Sequence, residues 1–336
     1  MAKLADKADI YGKVQEIGRL FYLSSIELFG VVFDIKPAMA EANTGVYDAS
    51  TPDRLKRLGE LCSDLGLKMA FSRRKYIINS PRGIFQEIGL DDPREGNLII
   101  GIAKDQKVAL SAVAHYHWKM LHSRYGRSFG KLMGYPDCCL DFGDYLNNND
   151  GNQDNFGFRN PAVESLKRSK KIAWQLNVFV LSLIPHFPCS LDCRPSRKYV
   201  DDILGALRDT APGFVFEAED KLKNCAALYW SCADRILLRG SFKNNDFLDA
   251  EIDYHQPEIQ MVSDTFYQQN DDSYLKELRE IREKIGKGNR LLMTPEYFEI
   301  SNDGKSLLKE KKNHPYVPVL IKSSPVKESR HKNGPK

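Results

Sequence analysis

Leu55, Leu58, Leu61 and Cys62 recur at helical spacing, and Ser50 or Thr51 stands ahead of them as a cap, which predicts a helix ending near Leu65. The pattern then changes. Residues 75–79 have strand composition. Residues 97–102, Asn-Leu-Ile-Ile-Gly-Ile, form an apolar run of the kind buried inside a sheet. Residues 105–122 read as a long helix carrying His115 and His117. Pro136 opens a helix to about Leu146, with Leu140, Phe142 and Tyr145 apolar. A polar loop follows at 147–155. Asn160-Pro161 opens the next helix, through about Leu176. Pro195 opens another, with Val200, Ile203, Leu204 and Leu207 on one face and a stop before Pro212-Gly213.

Beyond that point strand patterns return, at 228–231 and 236–239. A charged amphipathic helix is predicted at 272–285. Residues 297–301 and 305–308 flank Asn302-Asp303-Gly304, a hairpin turn, and 317–321 make a last strand. The expected fold class is α+β (mixed α/β), with a helical cysteine-bearing centre between strand-containing N- and C-terminal parts. The expected organisation is one globular unit over 1–322, with subdomains at 1–125, 126–222 and 223–322. A basic, disordered tail is expected at 323–336.

At 336 residues, 42% hydrophobic and 28% charged, the composition is that of a globular protein. The first residues lack the apolar core of a secretory signal, and the longest apolar stretch, near 178–185, is too short to span a bilayer. A cytoplasmic protein without membrane contact is the expectation. The net charge of +4 is concentrated at the end: from Lys305 to Lys336 nine Lys or Arg face only Glu310 and Glu328. That tail could solubilise the chain or touch nucleic acid.

Composition changes the picture most at cysteine. Four of the seven cysteines fall in two proline-punctuated segments, Gly134-Tyr135-Pro136-Asp137-Cys138-Cys139 and His186-Phe187-Pro188-Cys189-Ser190-Leu191-Asp192-Cys193. In a reducing compartment such clusters are metal-binding or catalytic rather than disulfide-forming, and the count is odd. Pro136 and Pro195 place Cys138, Cys139 and Cys193 at helix starts, where free N–H groups and the helix dipole favour thiolate.

An iron–sulfur cluster, 4Fe-4S, held by Cys138, Cys139, Cys189 and Cys193 is the first expectation, because adjacent cysteines can each meet a separate iron. A structural zinc ion is the alternative, although neither segment has the usual Cys-x-x-Cys spacing. A nucleophilic thiol at Cys138 or Cys139, with His186 as base, is the third reading, and simple packing is the fourth. Cys189-x-x-x-Cys193-x-x-Ser196 departs from the radical S-adenosylmethionine pattern at Ser196. Cys62, Cys225 and Cys232 read as core.

The two segments resemble the paired hallmark of an archaeal and bacterial family known only as a domain of unknown function: Gly-Tyr-Pro-x-Cys-Cys, then His-x-Pro-Cys-Ser-x-x-Cys, with a serine three residues on. Ser196 occupies that last position. The resemblance spans about 129–199 and implies a shared site built on the four cysteines, with Ser196 at the cofactor.

His186 is the candidate catalytic group, as a base or as a donor to a sulfur. Arg194, beside Cys193, is a candidate contact for the cofactor or an anionic substrate. Asp137 and Asp192 are expected to cap helices. His115 and His117, two apart on a helix, do not share a face and read as packing. The run Lys167-Arg168-Ser169-Lys170-Lys171, with Arg73-Arg74-Lys75 and the tail, could form an RNA surface, but no stacking aromatics accompany it. The expected function is an iron–sulfur-dependent enzyme acting on a small-molecule or nucleotide-type substrate, with redox or sulfur-transfer chemistry in view. The competing class is a zinc-stabilised, non-catalytic module that contacts nucleic acid.

Overall fold

The computed structural model describes residues 7–42, 44–79, 84–121, 126–149, 159–229, 234–245, 250–261, 273–294, 296–311 and 319–322. The expected tail at 323–336, residues 150–155 of the expected loop and Cys232 lie outside them. The fold is α+β, and the chain divides into two compact units. One comprises Met1–Arg168 and Leu183–Phe216, the other Ser169–Ser182 and Glu217–Lys336. The cysteine-bearing stretches thus belong with the N-terminal part, and 169–182 belongs with the C-terminal part.

The first unit contains helices α1 (Lys7–Phe21), α2 (Ser25–Val32) and α3 (Thr51–Asp64), and strands β1 (Ala38–Glu41), β2 (Lys68–Phe71), β3 (Lys75–Asn79), β4 (Ile84–Ile88) and β5 (Ile100–Ala103). Helices α4 (Gln106–Leu121), α5 (Gly126–Leu132), α6 (Asp137–Asn149), α7 (Arg159–Lys167) and α8 (Arg194–Arg208) follow. β5 is the central strand of a three-stranded antiparallel sheet, order β1-β5-β2, and β3 and β4 make a separate hairpin. All four residues of β5 are buried, as the apolar run predicts. Helix α4 packs on this sheet through alanines: Ala109 and Ala112 meet Ala38, Ala40, Ala70 and Ala103, with Phe129 and Met133 completing the cluster. A Cβ at Gly101 would lie 2.6 Å from the Ala109 carbonyl, so the close approach requires glycine there.

At α2, the Ser24 hydroxyl accepts the Glu27 N–H at 3.4 Å. At α3, Ser50 makes no side-chain cap. Its hydroxyl and N–H instead donate to Asp48, at 2.7 and 2.9 Å. α8 matches its prediction, with Val200, Ile203, Leu204 and Leu207 buried on one face. α7 does not: it ends at Lys167 rather than near Leu176, and only a short 3-10 turn, Trp174–Leu176, follows. The chain leaves the first unit at Arg168, where the guanidinium lies over the rings of Phe142 and Tyr145. The basic run is therefore not one helical face. Lys75 also leaves the supposed RNA surface, because it is buried and donates to the carbonyls of Asp92 and Arg94.

The second unit is built on a seven-stranded antiparallel sheet. Its strands are β6 (Cys225–Tyr229), β7 (Asp234–Asn245), β8 (Ala250–Met261), β9 (Arg290–Met293), β10 (Tyr297–Asn302), β11 (Lys305–Lys311) and β12 (Val319–Lys322). Their spatial order is β11-β10-β9-β8-β7-β6-β12. α9 (Pro212–Asn224) leads into β6, and α10 (Ser273–Lys287) packs on β8, β10 and β11. The turn from β10 to β11 has positive φ at Asp303 (49°) and Gly304 (81°), the geometry Asp-Gly allows.

Candidate metal centre

The sequence around the first cysteine pair ends one helix and begins another with four residues between them. Gly134 has φ of 77°, and its N–H donates to Lys131 while the Tyr135 N–H donates to Gly130. Those two bonds close the C-terminus of α5 in a Schellman motif. A Cβ at Gly134 would lie 2.9 Å from Pro37, so glycine is required for space as well as for conformation. Pro136 stands just before α6, one position earlier than predicted, and its carbonyl accepts the N–H groups of Cys139 (2.9 Å) and Leu140 (3.0 Å). Buried Leu140 and Phe142 anchor the helix.

The second pair sits on a turn that is pinned from both sides. The Tyr135 hydroxyl donates to Pro185 O at 3.2 Å, and the Ser165 hydroxyl donates to Pro188 O. Leu191 is fully buried, and the Cys193 N–H donates to Ser190 O. Cys193 is the N-cap of α8, and its carbonyl accepts the first helical bond, from Arg197 at 3.0 Å.

These two segments bring the four sulfurs together, all within 4.8 Å of one another. Cys138 Sγ lies 3.9 Å from Cys139 Sγ and 3.7 Å from Cys193 Sγ, and Cys139 Sγ lies 3.8 Å from Cys193 Sγ. Cys139 and Cys193 are buried, Cys189 is half-buried and Cys138 is the most exposed. The set could bind a metal, and it is the one such group among the described residues. An all-sulfur donor set suits a soft or borderline metal.

The thiols do not all behave as helix starts would make them. Hydrogen bonding from Cys139 outweighs burial at Cys193 and, with Ser196, draws its thiol down to about 5. Cys139 is pushed up, first by its bond to Cys193 and then by burial. Burial, followed by the charge of Cys193, raises Cys189 to about 12 and also raises Cys138. Within this coupled set Cys193 is the sulfur most favoured to carry negative charge. At Cys138 and Cys139 the shifts run against the thiolate expected at a helix start, through burial at Cys138 and through the bond to Cys193, then burial, at Cys139.

His186 reaches this site through Ser196. Its Nε2 lies 2.9 Å from Ser196 Oγ, which lies 3.3 Å from Cys139 Sγ. The Cys189 N–H also donates to Cys139 Sγ, at 3.4 Å. Burial, helped by the charge of Lys36, pushes His186 down to about 3, so its ring is neutral. His186 Nδ1 is buried and has no partner among the described residues. The ring lies 4.9 Å from that of Tyr135, and Lys36 Nζ sits 5.6 Å from the Tyr135 ring on the way to Glu27, 2.6 Å from it.

Ser196 is thus fully buried beside a sulfur, and His186 stands one bond further out. Arg194 is exposed at the start of α8, with no hydrogen bond to the sulfurs among the described residues. Asp192 accepts the Ser190 hydroxyl at 2.7 Å rather than capping α8. His115 Nδ1 bonds its own helix at Ser111 O, and His117 Nδ1 pairs with the Tyr76 hydroxyl. Cys62 and Cys225 are buried and are not members of the cluster, as expected of packing residues. Sequence reasoning missed Tyr135 and Lys36. The place of Tyr135 between glycine and proline was a usable signal, whereas a buried lysine paired with Glu27 leaves none. Compared with protein-family models, curated proteins and solved structures, the chain matches none.

Proposed function

We propose that the four cysteines hold a single metal ion, zinc, as a tetrathiolate centre. The sulfur spacing carries this reading. A tetrahedral site with Zn–S bonds of about 2.3 Å has sulfurs about 3.8 Å apart. The Sγ–Sγ separations among Cys138, Cys139 and Cys193 are 3.7, 3.8 and 3.9 Å. A 4Fe-4S cluster places each thiolate on its own iron, outside the cluster, and needs wider spacing. The adjacent pair Cys138-Cys139 is the observation that favours the cluster, since two neighbouring residues must otherwise share one small ion.

In this role the ion ties the starts of α6 and α8 to the turn at Cys189. Elemental analysis of the purified chain tests the reading. The expected result is colourless protein with one zinc per chain and, on substitution with cobalt, strong sulfur-to-metal absorption. Brown protein with iron and sulfide in cluster proportion would replace zinc with the cluster.

A further inference from the structure

The four sulfurs differ in what donates to them. Cys139 accepts the Cys189 N–H and faces the Ser196 hydroxyl. Cys193 also draws on Ser196. Cys138 and Cys189 have only other sulfurs as partners among the described residues, and Cys138 is the more exposed of the two. The groups hydrogen-bonded behind the sulfurs add direction. Metal-bound sulfurs can only accept, so the Ser196 O–H points to the Cys139–Cys193 pair, with Cys139 Sγ at 3.3 Å. The Ser196 oxygen then accepts from His186 Nε2–H, which leaves the buried Nδ1 as the bare nitrogen. The Ser196–His186 pair thus withdraws electron density from Cys139 and Cys193 and leaves Cys138 untouched.

We propose that Cys138 is the reactive thiolate of the centre and accepts a carbon group from a soft alkylating electrophile, while Cys139, Cys189 and Cys193 stay as ligands. This inference rests on the metal-centre reading. In the step, a Cys138 Sγ lone pair forms the S–C bond. The bond from carbon to the leaving group breaks, and the leaving group departs with that electron pair. No oxidant or reductant is needed. The substrate class is an alkyl donor small enough to reach an exposed sulfur. Accessibility and the absence of N–H or O–H donors both raise the nucleophilicity of Cys138, because each hydrogen bond to a thiolate lowers its charge density.

The test treats zinc-loaded full-length chain with substoichiometric iodoacetamide and maps the modified peptide by mass spectrometry, with zinc per chain measured beforehand. Cys138 should be carbamidomethylated at least about tenfold faster than the other three. In Ser196→Ala, Cys139 and Cys193 should gain reactivity relative to Cys138, a change that simple loosening of the site would not confine to those two sulfurs. Its folding is checked by circular dichroism, and the wild-type rates stand as the test should the variant not fold. Zinc present with Cys139, Cys189 or Cys193 reacting first, or with equal rates, overturns the proposal and leaves the metal centre standing. No zinc in the untreated protein removes the metal centre itself, and this proposal with it.

Discussion

At the start of α8 one cysteine, Cys193, caps the helix with its backbone while its sulfur gathers hydrogen bonds, and its thiol falls to about 5. At the start of α6 two cysteines, Cys138 and Cys139, sit in the first turn after a proline, and both thiols are raised. Both places have the free N–H groups and dipole of a helix terminus. A terminus is worth about 0.3–1 kcal/mol at an exposed site, less than the roughly 1.4 kcal/mol of a single pKa unit. Donors and burial therefore decide which sulfur is charged, and the dipole only adds to the result.

Removing the charged partner is the strongest way to break this comparison. Cys193→Ala should take metal content from near one ion per chain to background and lower the melting temperature, since structural zinc contributes on the order of 10 kcal/mol. Unchanged metal content would show that the two helix starts do not share an ion.

Next in size is the proton count. Cys138, Cys139 and Cys189 are held protonated, so metal binding near neutral pH should release about three protons, with affinity rising as pH rises. Release of about one proton, measured in weak buffer, would mean that the α6 thiols are already charged.

Ser196→Ala should cost about 10–100-fold in metal affinity, read by chelator competition, because it removes a donor to Cys139. Wild-type affinity in that variant would detach the serine from the contrast.

The last effect is expected at the histidine that bonds Ser196 of α8. His186 is held neutral in the fold, down to about 3, against a usual value near 6.5. Its depressed value contributes stability that is present above about 6.5 and is lost as pH falls toward 3. Urea unfolding of metal-free protein across that window should show the loss, and His186→Gln should flatten it.

What was legible beforehand follows from how local each signal is. α8 could be read from Pro195 and four apolar residues at helical spacing, and the β10–β11 turn from Asp303-Gly304. The cysteine pairs were visible as spacing. The 12-residue strand β8 was not: Glu251 and Asp253 alternate with Ile252 and Tyr254, but acidic residues are poor strand formers, and the pairing with β7 and β9 supplies the order. Pro212-Gly213 reads locally as a helix stop, but proline also begins helices, and α9 starts at Pro212. The line from Cys139 through Ser196 to His186 joins residues 57 and 10 apart, a closeness only the tertiary fold creates.

The two halves of the site also differ in when they are made. Cys189 follows Cys139 by 50 residues, and between them the chain supplies 169–182 to the second unit. At about 5–20 residues per second, the first cysteine pair leaves the ribosome roughly 3–10 seconds before its partners. During that interval Cys138 and Cys139 are an open dithiol on a nascent chain, exposed to whatever oxidant or metal carrier is nearby. The order of synthesis makes the arrival of Cys189 and Cys193 the event that commits the site.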